Sequence, residues 1–203
     1  MKQQEDIPKI SGIGRQPVIV QADQPVQMLL ALFQENPTLL VVPIAEGERY
    51  LDCVSRKGLL NLMTRPFTRD LYAKKPVPSL FETLPGAAVT MEPDTDVNAA
   101  VIKLLSLDPN LETDAFALVR GGACVGVVAV SDLMLAVAEV QKRLLGELDR
   151  LSSRLREEVA MGMKIQQDLL PLSHRSCNGV TVAGAISTSS EIGGDFFDYF
   201  KIG

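Results

Sequence analysis

Acidic residues near the C-terminal end of the chain have the spacing of a cation site. Glu191, Asp195 and Asp198 lie in the segment SSEIGGDFFDYF, and two glycines stand directly before Asp195. Because glycine permits a tight turn, the segment can aim Asp195 and Asp198 into one region. Grouped carboxylates repel one another unless a hard cation balances them, and Mg²⁺ and Mn²⁺ prefer such oxygen ligands. We therefore take Asp195 and Asp198 as the candidate metal ligands.

A second group of residues has the chemistry to contact phosphate. Arg49, Arg56, Lys57 and Arg120 lie near predicted hairpin turns and helix starts, where positive side chains meet free backbone N–H groups. Asp132 begins a predicted helix, where its carboxylate can accept ligand hydroxyls or simply cap the helix. Two interpretations stay open here, a ligand site and a solvated surface with a capped helix.

The composition limits the classes of function. The 203 residues are 46% hydrophobic and 22% charged, with a formal net charge of −5. Such a chain is not expected to bind nucleic acid or an anionic membrane, since both need clustered positive charge. The single histidine, His174, excludes a site with two imidazoles, and three widely spaced cysteines favour reduced thiols. The N-terminus has no apolar signal segment and no apolar run is long enough to cross a bilayer, so we expect a cytoplasmic protein.

An internal repeat organises the first two thirds of the chain. Residues 18–36 and 89–107 match at a constant spacing, each with a short β-prone piece, an aspartate and an apolar-periodic stretch. Asp23 and Asp94 are the aspartates that we expect to cap the two helices.

Each copy continues into two strands and a second helix. Gly47 in the first copy and Gly121-Gly122 in the second separate β-rich runs and predict hairpins. The repeated unit is β-α-β-β-α, and a single copy has little core of its own, so we expect the two to pack face to face.

This arrangement resembles a tandem pair of CBS domains over about residues 14–140, with a Gly-Val-Val strand that enters a Ser-Asp-Leu helix. The resemblance implies an α/β (α+β) fold and a cleft that binds an adenine nucleotide such as AMP, ADP or ATP. In the family, a Ser or Thr at the strand end and an Asp three residues later hold the ribose hydroxyls. The first copy has Ser55 but Gly58, and the second has Asp132 but Ala129.

Asp132 is therefore the better single candidate for ribose. The predicted nucleotide-binding set is completed by residues of the hairpins and helix starts: Ser55, Arg56, Lys57 and Arg120. A CBS pair can also serve purely as a dimerisation platform.

A long helix is predicted to follow the second copy. Leu144, Leu148, Leu151 and Leu155 alternate in steps of four and three among charged residues, which is typical of a coiled-coil seam. The register then places Glu158 and a glycine in the seam, so the pairing is interrupted there. We expect a homodimer through the CBS pair and this helix. The alternative is a helix that packs on its own domain.

The C-terminal segment resembles the opening of the SpoIIE/RsbU-type phosphatases of the PPM (PP2C-like) class. Their catalytic domains follow an Ile-Gln-x-x-Leu-Leu-Pro helix and open with Glu-Val-Gly-Gly-Asp-Tyr-Tyr-Asp. The matching residues are Ile165, Gln166, Leu169, Leu170, Pro171, Glu191, Gly193, Gly194, Asp195 and Asp198.

The resemblance implies that Asp195 is a ligand of a Mn²⁺ or Mg²⁺ pair that activates water for attack on a phosphoserine or phosphothreonine. Asp198 is its second candidate ligand. Gly-Gly-Asp also begins the diguanylate cyclase signature, but that signature continues with Glu, whereas Phe196 follows here.

Together these patterns predict five regions. Residues 1–13 are an N-terminal tail, 14–75 and 76–140 the CBS motifs, 141–171 the linker helix, and 172–203 the truncated start of a phosphatase domain. Because the later metal-binding aspartates are not in the chain, we expect it to be catalytically incomplete by itself.

In the predicted mechanism, a ligand in the CBS pair biases the helix, which positions the metal-bearing strand of a protein serine/threonine phosphatase that acts on a phosphoprotein. The alternative is a non-catalytic CBS dimerisation module with no nucleotide ligand.

Overall fold

The computed structural model describes residues 7–84, 89–187, 193 and 196–200. The first repeat begins with a short strand and ends with a helix that follows its hairpin directly. Its elements are β1 (Val20–Gln21), α1 (Val26–Glu35), β2 (Val41–Glu46), β3 (Arg49–Ser55) and α2 (Arg56–Met63).

The second repeat has the same order of elements, and its last helix is much longer. Its elements are β4 (Thr90–Met91), α4 (Val97–Leu107), β5 (Ala115–Arg120), β6 (Ala123–Ala129) and α5 (Val130–Leu169). Between the repeats lie α3 (Thr68–Tyr72) and a short 3-10 helix, Val77–Leu80. After α5 comes a hairpin of β7 (His174–Cys177) and β8 (Val180–Ala183).

The two sheets have the same topology and the same irregularity. In each, the first strand is parallel to the second, which is antiparallel to the third. Val20 lies opposite Ile44 in the first sheet, and Met91 lies opposite Leu118 in the second. The register shifts directly after Ile44 and directly after Leu118. The predicted β-α-β-β-α repeat and the α/β (α+β) fold class are therefore confirmed.

Glycines form the turns of the hairpins in the two repeats. Gly47 has φ of 60°, and Gly121 and Gly122 have φ of 59° and 83°. Left-handed φ is costly for a side-chain-bearing residue and is the backbone that a tight hairpin turn requires.

The helix caps differ from the expectation. The N-cap of α1 is Pro25, which has no side-chain acceptor, so Asp23 does not cap this helix. The N-cap of α4 is Asp96, whose Oδ1 accepts the N–H groups of Asn98 and Ala99. Asp94 instead pairs with basic side chains. The prediction that Asp23 and Asp94 cap was wrong because the helices begin two or three residues later than the aspartates.

Each repeat has its own core, completed by a segment that precedes the other repeat. Ile10 is fully buried in the core of the second repeat, and its N–H donates to the carbonyl of Thr95. Val77 is fully buried in the core of the first repeat, and its N–H donates to the carbonyl of Gln24. The segment expected as a tail thus contributes a core side chain.

The two sheets contact each other, as the small size of each repeat predicts. Strands β2 and β3 contact β5 and β6, and the N–H of Tyr50 donates to the carbonyl of Gly122 at 2.8 Å. Ala45, Ala115 and Ala117, on strands that make this contact, are buried.

The chain divides into two compact units, Met1–Gln141 and Lys142–Gly203. Helix α5 contributes its first three turns to the first unit and the rest to the second. In the described part of the chain, no helix combines the length and the apolar character needed to span a membrane.

Candidate functional site

A cleft of about 190 Å³ lies in the first unit, between segments from both repeats. One wall is the chain before β1, another is the connection from α1 to β2, and the third comes from β5 and β6. The lining residues are Arg15, Gln16, Pro17, Val18, Asn36, Thr38, Leu39, Leu40, Val41, Ala115, Val127 and Ala129.

Apolar walls and a few polar groups characterise the cleft. Val41, Ala115 and Ala129 are buried, whereas Val18 is 44% exposed although it is a large apolar side chain. A pocket lined in this way suits a flat, partly apolar group whose polar atoms meet a small number of side chains. Arg15 is the charged residue in the lining.

Arg15 is held beside the cleft by both its backbone and its side chain. Its N–H donates to the carbonyl of Val127 at 2.8 Å, and its carbonyl accepts the N–H of Val127 at 3.0 Å. Its Nη2 donates to Oδ2 of Asp132 at 2.7 Å. The side chain of Asp132 is 28% exposed and lies in the first turn of α5. An anion-binding side chain and an acceptor carboxylate thus stand together at the start of this helix.

The two helix starts that correspond in the repeats are capped differently. Oγ of Ser55 accepts the N–H of Gly58 at 3.0 Å, so this hydroxyl caps α2. Ala129 pairs with Ala115 where Ser55 pairs with Val41, and it has no hydroxyl to accept an N–H of α5. The first N–H groups of a helix lack partners within the helix and carry partial positive charge. The start of α5 therefore has no hydroxyl cap at this position, and it carries the Asp132 carboxylate in its first turn.

The other predicted binding residues are not gathered at Asp132. Arg56 donates from Nη1 to the carbonyls of Phe33 and Asn36, at 2.7 and 3.1 Å, and so caps the end of α1. Lys57 is exposed in the first turn of α2.

Arg120 lies at the hairpin end of β5 and pairs with Asp94 at 2.7 Å. Ala115, at the other end of the same strand, lines the cleft. Arg120 is therefore about 17 Å from Ala115 along the strand, at roughly 3.3 Å per residue. Arg15, which the sequence analysis did not single out, is the basic residue that reaches Asp132.

The thiols of the first unit are unsuited to nucleophilic chemistry. Burial raises the pKa of Cys53 to about 12, and the hydrogen bond from the Tyr50 hydroxyl, at 3.3 Å from Sγ, offsets part of this rise. Burial also raises the pKa of Cys124. Both thiols therefore stay protonated at neutral pH, and a thiol is a much weaker nucleophile than a thiolate.

The predicted metal ligands are only partly described. Asp195 lies outside the described residues. Asp198 is exposed, and its Oδ1 accepts the N–H of Tyr199 at 2.7 Å. Within the described ranges, no group of three or more His, Cys, Asp or Glu side chains comes together. One exposed carboxylate does not fit a divalent cation, which takes several oxygen ligands.

No protein-family model and no curated protein sequence matches the chain. Solved structures do match. AcuB of Vibrio cholerae has 18% identity and a TM-score of 0.51, over 70% of this chain and 97% of that one. CBSX2, solved in complex with AMP, has 16% identity and a TM-score of 0.50, over 66% and 98%. A CBS domain-containing protein of Thermotoga maritima has 19% identity and a TM-score of 0.50, over 65% of this chain and 95% of that one. This chain has the fold of a CBS domain pair.

Proposed function

We propose that the CBS pair is a regulatory module that binds an adenine nucleotide in the cleft beside Asp132. The observation that carries the proposal is the ion pair between Arg15 and Asp132, placed at the start of α5 against an apolar cleft. The fold supports it too, because CBSX2, which shares the fold, was solved in complex with AMP.

Each part of the nucleotide has a fitting group. The apolar side chains of Val18 and Leu40 flank the adenine. The carboxylate of Asp132 accepts the ribose hydroxyls, and a charged acceptor makes these hydrogen bonds strong. The phosphate takes the guanidinium of Arg15 from Asp132 and lies near the positive N-terminal end of the α5 dipole.

The cleft favours a monophosphate over a triphosphate. Its volume of about 190 Å³ is below the ~300–1,000 Å³ usual for small-molecule sites. Arg15 alone supplies positive charge to its lining, whereas Arg56 and Arg120 are engaged elsewhere. Of AMP, ADP and ATP, we therefore expect AMP to bind most tightly.

Isothermal titration calorimetry with AMP tests the proposal, using Asp132→Ala and a matched control. The control is Asp94→Ala, because Arg120 and Asp94 form an exposed ion pair with the same 2.7 Å distance at the hairpin end of β5. We expect saturable binding of AMP that Asp132→Ala weakens and Asp94→Ala leaves unchanged. Equal binding by both variants would refute the proposed site.

A structural CBS dimer without a nucleotide is the second candidate. Arg15 already satisfies the Asp132 carboxylate, and Ser55 uses its hydroxyl within the protein. These contacts need no ligand. This candidate is favoured if AMP, ADP, ATP, S-adenosylmethionine and cyclic di-AMP all leave the melting temperature unchanged at millimolar concentration, since bound ligand at 100 times its Kd adds about 2.7 kcal/mol.

We propose further that two copies pair through α5. Leu148, Leu151 and Leu155 are 63%, 57% and 62% exposed, and they follow one another at heptad spacing on this helix. Burying them against a second copy removes apolar surface from water. Light scattering tests this: we expect a dimer that Leu151→Lys dissociates, whereas a monomer at high micromolar concentration contradicts the pairing.

The C-terminal segment is, in our proposal, the opening of a PPM-type protein serine/threonine phosphatase domain that acts on a cytoplasmic phosphoprotein. Its support is the sequence match from Ile165 to Asp198. In a protein that carries this segment with the later strands of such a domain, Asp195→Ala should abolish Mn²⁺-dependent dephosphorylation. Retained activity in that variant would overturn this assignment.

A further inference from the structure

The last turns of α5 carry a side chain that makes two hydrogen bonds to one distant residue. Nε2 of Gln166 donates to the carbonyl of Gly193 at 2.6 Å, and Oε1 of Gln166 accepts the N–H of Gly193 at 3.1 Å. The side-chain amide therefore pairs with the backbone as a neighbouring strand would. Both residues are half-buried.

The chemistry of this pairing requires glutamine. A glutamine amide offers a donor and an acceptor at once, whereas glutamate only accepts when ionised and an aliphatic side chain does neither. The next residue, Gln167, is exposed on the same helix. The two glutamines thus have the same chemistry and different surroundings.

Phe197 and Tyr199 contact the hairpin of β7 and β8. Nη1 of Arg175 donates to the carbonyl of Tyr199 at 3.1 Å, and the Tyr199 hydroxyl donates to the carbonyl of Ser173 at 3.3 Å. A Cβ added to Gly184 would lie 2.6 Å from the Phe197 ring, so the ring packs directly on this glycine. Phe197 and Tyr199 are thus held on the hairpin, and Gly193 is held on α5 by Gln166.

We propose that Gln166 is a positioning residue that fixes Gly193, two positions before Asp195 in the sequence, to α5. A shift or unwinding of the last turns of α5 is then passed to Gly193 through two hydrogen bonds. The link to Asp195 as a metal ligand rests on the proposed phosphatase function, whereas the contact itself does not.

Amide hydrogen exchange at Gly193, followed by NMR on the whole chain, tests the proposal with Gln166→Ala and its neighbour Gln167→Ala. We expect Gln166→Ala to speed exchange of the Gly193 N–H by up to about tenfold, the worth of one net hydrogen bond. Gln167→Ala should leave the rate unchanged.

A conservative variant separates positioning from general loosening of the helix end. Gln166→Glu keeps an acceptor for the Gly193 N–H but places a second carboxylate oxygen against the Gly193 carbonyl, so it should restore only part of the protection that Gln166→Ala loses. In the unsubstituted chain, the Gln166 side-chain NH₂ protons should also exchange more slowly than those of Gln167.

Two results overturn the proposal: an exchange rate at Gly193 within twofold of the parent in Gln166→Ala, or an equal acceleration in Gln167→Ala. AMP titration of the same variants distinguishes this failure from failure of the nucleotide site. Gln166→Ala should bind AMP like the parent chain, because it leaves Asp132 and Arg15 in place.

Discussion

Removing the Asp132 carboxylate should change ligand binding far more than stability. The carboxylate forms an ion pair with Arg15, whose side chain is exposed, and exposed ion pairs contribute about 0–1 kcal/mol to the free energy of unfolding. Its place in the first turn of α5 adds about 0.3–1 kcal/mol through the helix dipole. The free energy of unfolding of Asp132→Ala should therefore fall by only about 1 kcal/mol.

The loss in affinity should be larger because the carboxylate is a charged acceptor. A hydrogen bond to a charged group contributes about 1.5–3 kcal/mol, so losing the contacts to ribose should weaken AMP binding by at least about tenfold. Urea denaturation and calorimetry on the same preparation measure both quantities. A fall in affinity that only follows a large loss of stability would refute the reasoning.

Replacing Arg15 separates its two roles. In Arg15→Ala the Asp132 carboxylate has lost the partner that occupies it, so adenosine, which has no phosphate, should bind equally well or up to about fivefold more tightly. AMP should bind about tenfold more weakly, because its phosphate loses a charge-assisted contact. Parallel titrations with the two ligands measure the difference. If both affinities change in the same direction by the same factor, Arg15 does not discriminate phosphate.

Three further predictions concern the scaffold. Ile10→Ala should lower the free energy of unfolding by about 2–4 kcal/mol because Ile10 is fully buried, whereas the same change at the half-exposed Ile7 should cost little, as urea denaturation will show. Ser55→Ala should lower the free energy of unfolding by about 1 kcal/mol because it removes the α2 cap. Ala129→Ser places a hydroxyl at the corresponding position before α5 and should stabilise the chain by capping that helix. A loss of stability in Ala129→Ser would show that no N–H at the start of α5 is free to be capped. Cys53 has a folded pKa of about 12 against an ordinary 9.0, because burial disfavours the thiolate. Between these values the unfolded thiol loses its proton while the native thiol keeps it. The free energy of unfolding should therefore fall as pH rises from 9 to 12, by at most about 1.4 kcal/mol per pH unit. The free energy of unfolding of Cys53→Ala should fall less over the same range.

The fold followed from patterns that are local in the sequence. The positive φ of Gly47 and Gly121 strongly favours glycine whatever surrounds the turn, so the hairpins were predictable. The N-cap residues of α1 and α4 were less predictable, because proline and aspartate can both stand at the start of a helix. In the structure the N-caps are Pro25 and Asp96, each two residues after the aspartate that was expected to cap.

The composition of the site was only partly predictable, because it depends on contacts between distant residues. Asp132 could be singled out from its place at a helix start. Arg15 lies 117 positions earlier and comes to Asp132 only because its backbone pairs with Val127. Ile10 is similar: an isolated apolar residue near the N-terminus has no periodic neighbours that would predict its burial in the second repeat.

The two proposals concern opposite ends of α5, with Asp132 in its first turn and Gln166 near its end. A ligand can shift an equilibrium only by its differential affinity for the two states. Two hydrogen bonds from Gln166 to Gly193 are worth about 1–3 kcal/mol together, at roughly 0.5–1.5 kcal/mol each. Because coupling between two sites is reciprocal, an AMP affinity that Gln166→Ala leaves unchanged would show that nucleotide binding does not make or break the contact at Gly193.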